Sequence, residues 1–228
     1  MCNNSVRKAA ENVAYETRRP SISYSEEQHE SIQAFLNLWL PSKTPKSQVP
    51  WIYAQNPRSR AVESEVDSRV LESLSSAWDN ICAYGHPTSA EVDKLAERFN
   101  VFTGKWLVFL SSDKVDNLWE QIVKSTLAGT LGISAKVSTR DEREDHPSTH
   151  VICVYNADYR STEVTRVRDE LRRLGVTESI PYKPEIFTHC GIYSNNSWHN
   201  SVRFDSDFYF WTYSMACSRF PNSVSCQK

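Results

Sequence analysis

The chain has 228 residues, 39% of them hydrophobic, with seven Trp, ten Tyr and nine Phe, enough for a sizeable core. Its formal charge of −2 excludes nucleic-acid binding by bulk charge and leaves that role only to a local basic patch. No stretch approaches the ~20 apolar residues of a membrane span, and the N-terminal MCNNSVRKAAEN has no apolar signal core, so the expectation is a cytoplasmic protein, with the nucleus also open and no membrane contact.

Residues 1–24 are polar and aperiodic and are expected to be a flexible lead-in to one domain over 25–213. Ser25 with Glu26, Glu27 and Gln28 predicts a helix start, and Ile32, Phe35, Leu36 and Trp39 recur at helical spacing until Pro41. PSKTPKSQVP (41–50) reads as a proline-bracketed linker, and WIYA from Trp51 as a short strand. From Val62 to Cys82 the apolar positions Val66, Val70, Leu74 and Trp78 trace one helical face. TSAE at Thr88 is a capping-box signature, followed by the stripe Val92, Leu95, Ala96 and Phe99.

GKWLVFL (104–110) is a strand opened by glycine, and a helix follows through Val115, Leu118, Trp119, Ile122 and Val123. LGISAKVSTR (131–140) and HVICVY (150–155) are two strands flanking an acidic loop of hairpin length. A helix over about 162–174 carries Val164, Val167 and Leu171 inward, with Arg166, Arg168, Arg172 and Arg173 read as a solvated, salt-bridged face. YKPEIFTHCGIY is expected to be a strand or bent strand pair, and 214–228 a flexible tail. The order strand, helix, strand, strand, helix, strand from residue 104 predicts an α/β (α+β) fold. Its sheet is mainly antiparallel, with helices on one face and the other face open.

Two constellations carry the candidate chemistry. Lys136, Ser138 and Arg140 alternate with Ala135, Val137 and Thr139; they are either the wet side of the sheet or a phosphate-contacting surface. Tyr182, Lys183, Tyr193, Asn195, Asn196, Trp198 and His199 set aromatic rings beside amides and cations, a combination that suits a base or nucleotide, or else closes the core edge around a turn. The six cysteines, at 2, 82, 153, 190, 217 and 226, form no CxxC pair or Cys/His cluster, so no metal site, disulfide framework or cofactor is read. His189 and Cys190 on a strand would point to opposite faces and form no dyad, and no P-loop, GxSxG elbow or Ser/His/Asp order is present.

The stretch from GKWLVFL through SAKVSTR and HVICVY to ELRRLGV resembles the second half of the translation initiation factor 4E fold, the mRNA cap-binding fold, over about 104–190. STLAGTLGISAKVST, HVICVYNADY and YKPEIFTHCGIYSNNSW resemble the basophilic-leukaemia-expressed protein family, from about Trp51 to beyond Trp198. The first resemblance implies a concave ligand-binding face. The positions of its two base-stacking tryptophans fall at Ser64 and Leu95, while its phosphate-contacting arginine has a counterpart in Arg140. The expectation is therefore a non-enzymatic protein binding RNA or a nucleotide without the cap sandwich. A protein–protein adaptor docking through the helical face is the first alternative, and an enzyme acting on nucleotides the second.

Overall fold

The capping box forms as the sequence predicts: the Glu91 N–H donates to Thr88 Oγ1, and the Thr88 N–H donates to the Glu91 carboxylate at 2.8 Å. Both contacts lie within one helical turn, so they are fixed by local sequence. The structure, a computed structural model, describes residues 21–59, 68–84, 87–143 and 149–192. Within them run strands β1 (Ile22–Ser23), β2 (Trp51–Gln55), β3 (Gly104–Ser111), β4 (Ser134–Ser138), β5 (Thr149–Asn156) and β6 (Tyr182–Pro184). The helices are α1 (Ile32–Leu38), α2 (Ser68–Tyr84), α3 (Ser89–Phe99), α4 (Ser112–Leu127), α5 (Glu163–Arg173) and α6 (Glu185–His189). The expected helix residues Val62 and Val66 and the expected tail over 214–228 lie outside the described residues.

The strands form one sheet in the order β1-β2-β4-β5-β3-β6, antiparallel except for the short β1–β2 pairing. The expected mixed, mostly antiparallel architecture is present. On one face Ile52, Ala54, Ala135, Val137, Ile152, Val154, Trp106 and Val108 alternate inward and are buried. His150 Nε2 lies 3.0 Å from Ser112 Oγ at the start of α4, and Trp106 Nε1 donates to the Val164 carbonyl of α5 at 3.0 Å, so both helices lie on that face. The stripe Val115, Leu118, Trp119, Ile122 and Val123 of α4 is buried there, as its spacing predicts.

Four expectations are corrected. The first helix begins at Ile32, where Ser31 Oγ accepts from the Ala34 N–H at 3.1 Å; residues 25–29 form a turn whose His29 ring packs edge-on against Phe35. Ile22–Ser23, expected in the flexible lead-in, adds a strand to the sheet edge. Residues 41–50 are docked rather than linking: Ser42 N–H and Oγ donate to Asp116, Lys46 N–H to the Arg140 carbonyl, and Thr139 Oγ1 to the Val49 carbonyl. Finally, EIFTH is helical after Pro184, so His189 ends α6 and Cys190 follows as its buried C-cap.

The arginines of α5 divide. Arg172 and Arg173 pair with Asp169 and Glu170 on the surface, as expected. Arg168 is instead buried and donates to the Val176 and Glu178 carbonyls, while Arg166 donates to the Thr130 and Leu131 carbonyls just past α4. Composition marked these side chains as surface charge; main-chain carbonyls left by two helix ends claim them.

Candidate nucleic-acid interface

Alternation sends the remaining strand positions to the second face of the sheet, where the register lines them up in rows. One row runs Ser134, Tyr155, Lys105, Lys183 across β4, β5, β3 and β6. The next runs Tyr53, Lys136, Cys153, Leu107 across β2, β4, β5 and β3. Beyond it, Trp51 lies opposite Ser138, and Phe109 opposite Val151.

Charge on this face is carried by lysines set against rings. Lys136 Nζ is 4.2 Å from the Trp51 ring centre and 5.8 Å from that of Tyr53. Lys105 Nζ is 5.4 Å from the Tyr155 ring centre and ion-pairs with Glu185, the first residue of α6. Each contact places an ammonium over an electron-rich ring face. Lys105 and Lys183 are direct cross-strand partners, and like charges so placed repel. Glu185, two residues beyond Lys183, supplies the opposing charge, and His189 lies one helical turn further on.

Among the described residues, three lysines against one carboxylate give this cluster a formal charge of +2, His189 neutral. Burial pushes the Glu185 carboxyl up, but the charge and hydrogen bond of Lys105, with His189 and Lys136 beyond, bring it below its ordinary value. Burial, then the charge of Lys105, pulls Lys183 down to about 8 against the counteracting Glu185. His189 is lowered by burial, which the two lysines reinforce and Glu185 opposes.

The structure puts two of the sequence-predicted site residues, Lys136 and Lys183, on the same face, with β5 and β3 lying between their strands. Ser138 shares the face, but its Oγ accepts the Val151 N–H at 2.9 Å and its carbonyl lies 2.8 Å from His150 Nδ1. Arg140 is exposed past the end of β4, about 13 Å of strand from Lys136, and its main chain bridges to Pro45. Tyr182 points the other way: it is buried, edge-on to Trp106 at 4.9 Å, and its Oη donates to Asn156 Oδ1 at 2.6 Å. Tyr193, Asn195, Asn196, Trp198 and His199 lie outside the described residues, as does Ser64. Leu95 is buried on α3.

Lys105, Glu185, Tyr155, Trp51 and Tyr53 enter the cluster without having been singled out in the sequence, and His189, weighed there only as a base beside Cys190, joins them. The alternation in GKWLVFL puts Lys105 opposite Trp106 in facing, which was a usable signal; which strand lies beside β3 was not. Among the described residues no helix is long and apolar enough to cross a membrane. Residues 80–191 match the model of the family described as basophilic leukemia-expressed protein Bles03, in agreement with the likeness seen in the sequence.

Proposed function

We propose that this chain, which matches the Bles03 family model over residues 80–191, binds single-stranded RNA or a nucleotide on the second face of its sheet, without the two-ring sandwich of cap-binding proteins. The observation that carries this reading is the juxtaposition of Lys136 with Trp51 and Tyr53, and of Lys105 with Tyr155 and Lys183, on one side of a single sheet. Ammonium groups neutralise phosphates, and neighbouring rings stack bases without regard to sequence. Phe109, 56% exposed on the same face, extends the ring-bearing surface. Lys136 already sets a cation over Trp51, so a positively charged methylated guanine gains less from that ring than a neutral base does.

An adaptor docking through its helices needs a continuous exposed apolar stripe. The apolar side chains of α4 are buried, and the large exposed ones on described helices, Leu38 and Tyr84, sit on separate helices, which supports the ligand-binding reading over the adaptor. Ultraviolet crosslinking of the purified full chain to a single-stranded RNA oligonucleotide, with peptide mapping, tests it. Crosslinks are expected in the peptides carrying Trp51, Tyr53 and Tyr155. Crosslinks confined to other peptides, or none at all, would sink the reading.

A further inference from the structure

We infer that Ser21 is the acceptor for a serine kinase that reads arginines ahead of its target, and that the phosphate settles against Lys136 at the Trp51 edge of the second face. Arg18 and Arg19 stand three and two residues before Ser21, and the apolar Ile22 follows it. Two guanidinium groups at that spacing suit a kinase groove lined with carboxylates, because they can form bidentate, charge-assisted contacts there. Neither Ser23 nor Ser25, the next hydroxyls along the chain, has an arginine at those positions.

The fold leaves this serine reachable. Ser21 is exposed and lies immediately before β1, which is two residues long, ends the sheet order and, among the described strands, pairs with β2 only. A kinase holds its substrate extended, so Ile22 and Ser23 must lift from β2 while the hydroxyl occupies the kinase site. That opening gives up a two-residue ladder, the partial packing of Ile22 on the core and the 3.4 Å contact of the Tyr24 N–H with the Tyr53 carbonyl. Edges held by so few contacts open locally at far less cost than global unfolding. Pro20 has no N–H and cannot donate to β2 to lengthen the ladder.

The register says where the phosphate goes. Ile22 pairs with Ile52 and packs on the core, so alternation turns Ser21 to the second face, next to Trp51. Lys136 reaches the same residue from β4, with its Nζ 4.2 Å from the Trp51 ring centre. Two strand spacings and a two-residue offset put the Cα atoms of Ser21 and Lys136 roughly 12 Å apart, a gap that a phosphoserine and a lysine leaning towards Trp51 close together. In the transfer Ser21 Oγ attacks the γ-phosphorus of the kinase's Mg–ATP, its proton passes to the kinase's catalytic carboxylate, and the bond to the β-phosphate oxygen breaks to release ADP. The added charge of about −1.5 to −2 opposes the formal +2 of the lysine cluster and repels the phosphates of RNA. The modification is independent of the proposed RNA site; its effect on binding rests on that reading.

The test incubates the full chain with the catalytic subunit of cyclic-AMP-dependent protein kinase and Mg–ATP, then maps the phosphate. Ser21 is expected to be modified at least about tenfold faster than any other serine or threonine, and Arg18→Ala with Arg19→Ala should slow it by a similar factor. Phosphate on other residues with none on Ser21, or none anywhere, overturns the site. Phosphorus NMR reads the contact: the second ionisation of the phosphate, ordinarily near about 6, should come at lower pH in the wild-type protein than in Lys136→Ala. The same value in both overturns the placement against Lys136. Crosslinking to RNA should fall at least about threefold on phosphorylation, and unchanged crosslinking overturns the effect on binding. No crosslinking in either form sinks the earlier reading, while the mapping and the NMR still decide this one.

Discussion

Gly104 opens β3 where the inner face is tightest. A Cβ placed on it would lie 2.6 Å from Tyr182 Cζ and closer still to Oη, well inside any real contact. Its φ is outside the left-handed region, so alanine meets no backbone penalty there, and restricting the unfolded chain would favour Gly104→Ala by about 0.4–1 kcal/mol. The collision must therefore decide the outcome. If Tyr182 shifts within the core, overpacking costs about 1–3 kcal/mol. If the ring is displaced, its packing on Trp106 is lost and Asn156 Oδ1, buried, loses its donor, the latter alone about 1–3 kcal/mol. Set against the chain-restriction gain, either cost leaves about 0.5–2.5 kcal/mol of destabilisation, or a fall in Tm of about 1–10 °C for a domain of this size. Urea unfolding should show a lower midpoint with an unchanged slope. Tyr182→Phe alone should cost about 1–2 kcal/mol, and the double variant less than the sum of the two, because the phenol oxygen makes the closest approach. A Gly104→Ala protein as stable as wild type, or strictly additive costs, would refute this account.

Three further outcomes follow from the second face of the sheet. Lys136→Ala with Arg140→Ala should weaken RNA binding and lower the salt slope by about one for each phosphate no longer neutralised, with Tm nearly unchanged; filter binding across a salt series checks this. A methylguanosine cap analogue should bind at least about a hundredfold more weakly than a two-ring sandwich would hold it, since each stack is worth ~1–3 kcal/mol and Leu95 is buried; tight retention on cap resin would contradict it. Between about pH 8 and 10.4 unfolded Lys183 keeps a proton that the folded chain has released, so its contribution to stability rises with pH across that window, and its cost is full below 8. Lys183→Met should flatten that rise in urea-unfolding free energies; the same slope in both proteins would show that Lys183 does not titrate this way.

What was legible in the sequence was what neighbours decide. Thr88 and Glu91 are three residues apart, and the α4 stripe repeats every turn, so both elements were placed from the chain alone. The alternation of Ala135 and Val137 with Lys136 likewise fixed which side chains leave the core. Register was not legible. Lys105 meets Lys183 across 78 residues because β6 chooses β3 as its neighbour, and nothing local in YKP specifies that choice. EIFTH misled because Ile, Phe and Thr favour strands, whereas the geometry at Pro184 and the Glu185 N–H donating to the Thr103 carbonyl start a helical turn. The proline-rich composition of 41–50 similarly concealed partners at Thr139 and Arg140 just past β4 and at the Asp116 carboxylate on α4 that only the folded chain provides.

The strand order has a consequence for how the molecule can be divided. Since β2 stands between β1 and β4, a fragment beginning near residue 80 keeps β3 to β6 and strips the partner from Ser134–Ser138. Ala135 and Val137 lose Ile52 and Ala54 beside them, and a row of unsatisfied N–H and C=O groups becomes a template for strand addition between copies. Such a fragment would self-associate, and Lys136 would lose both of its rings. The smallest autonomous unit must therefore reach back through Trp51 to Ile22.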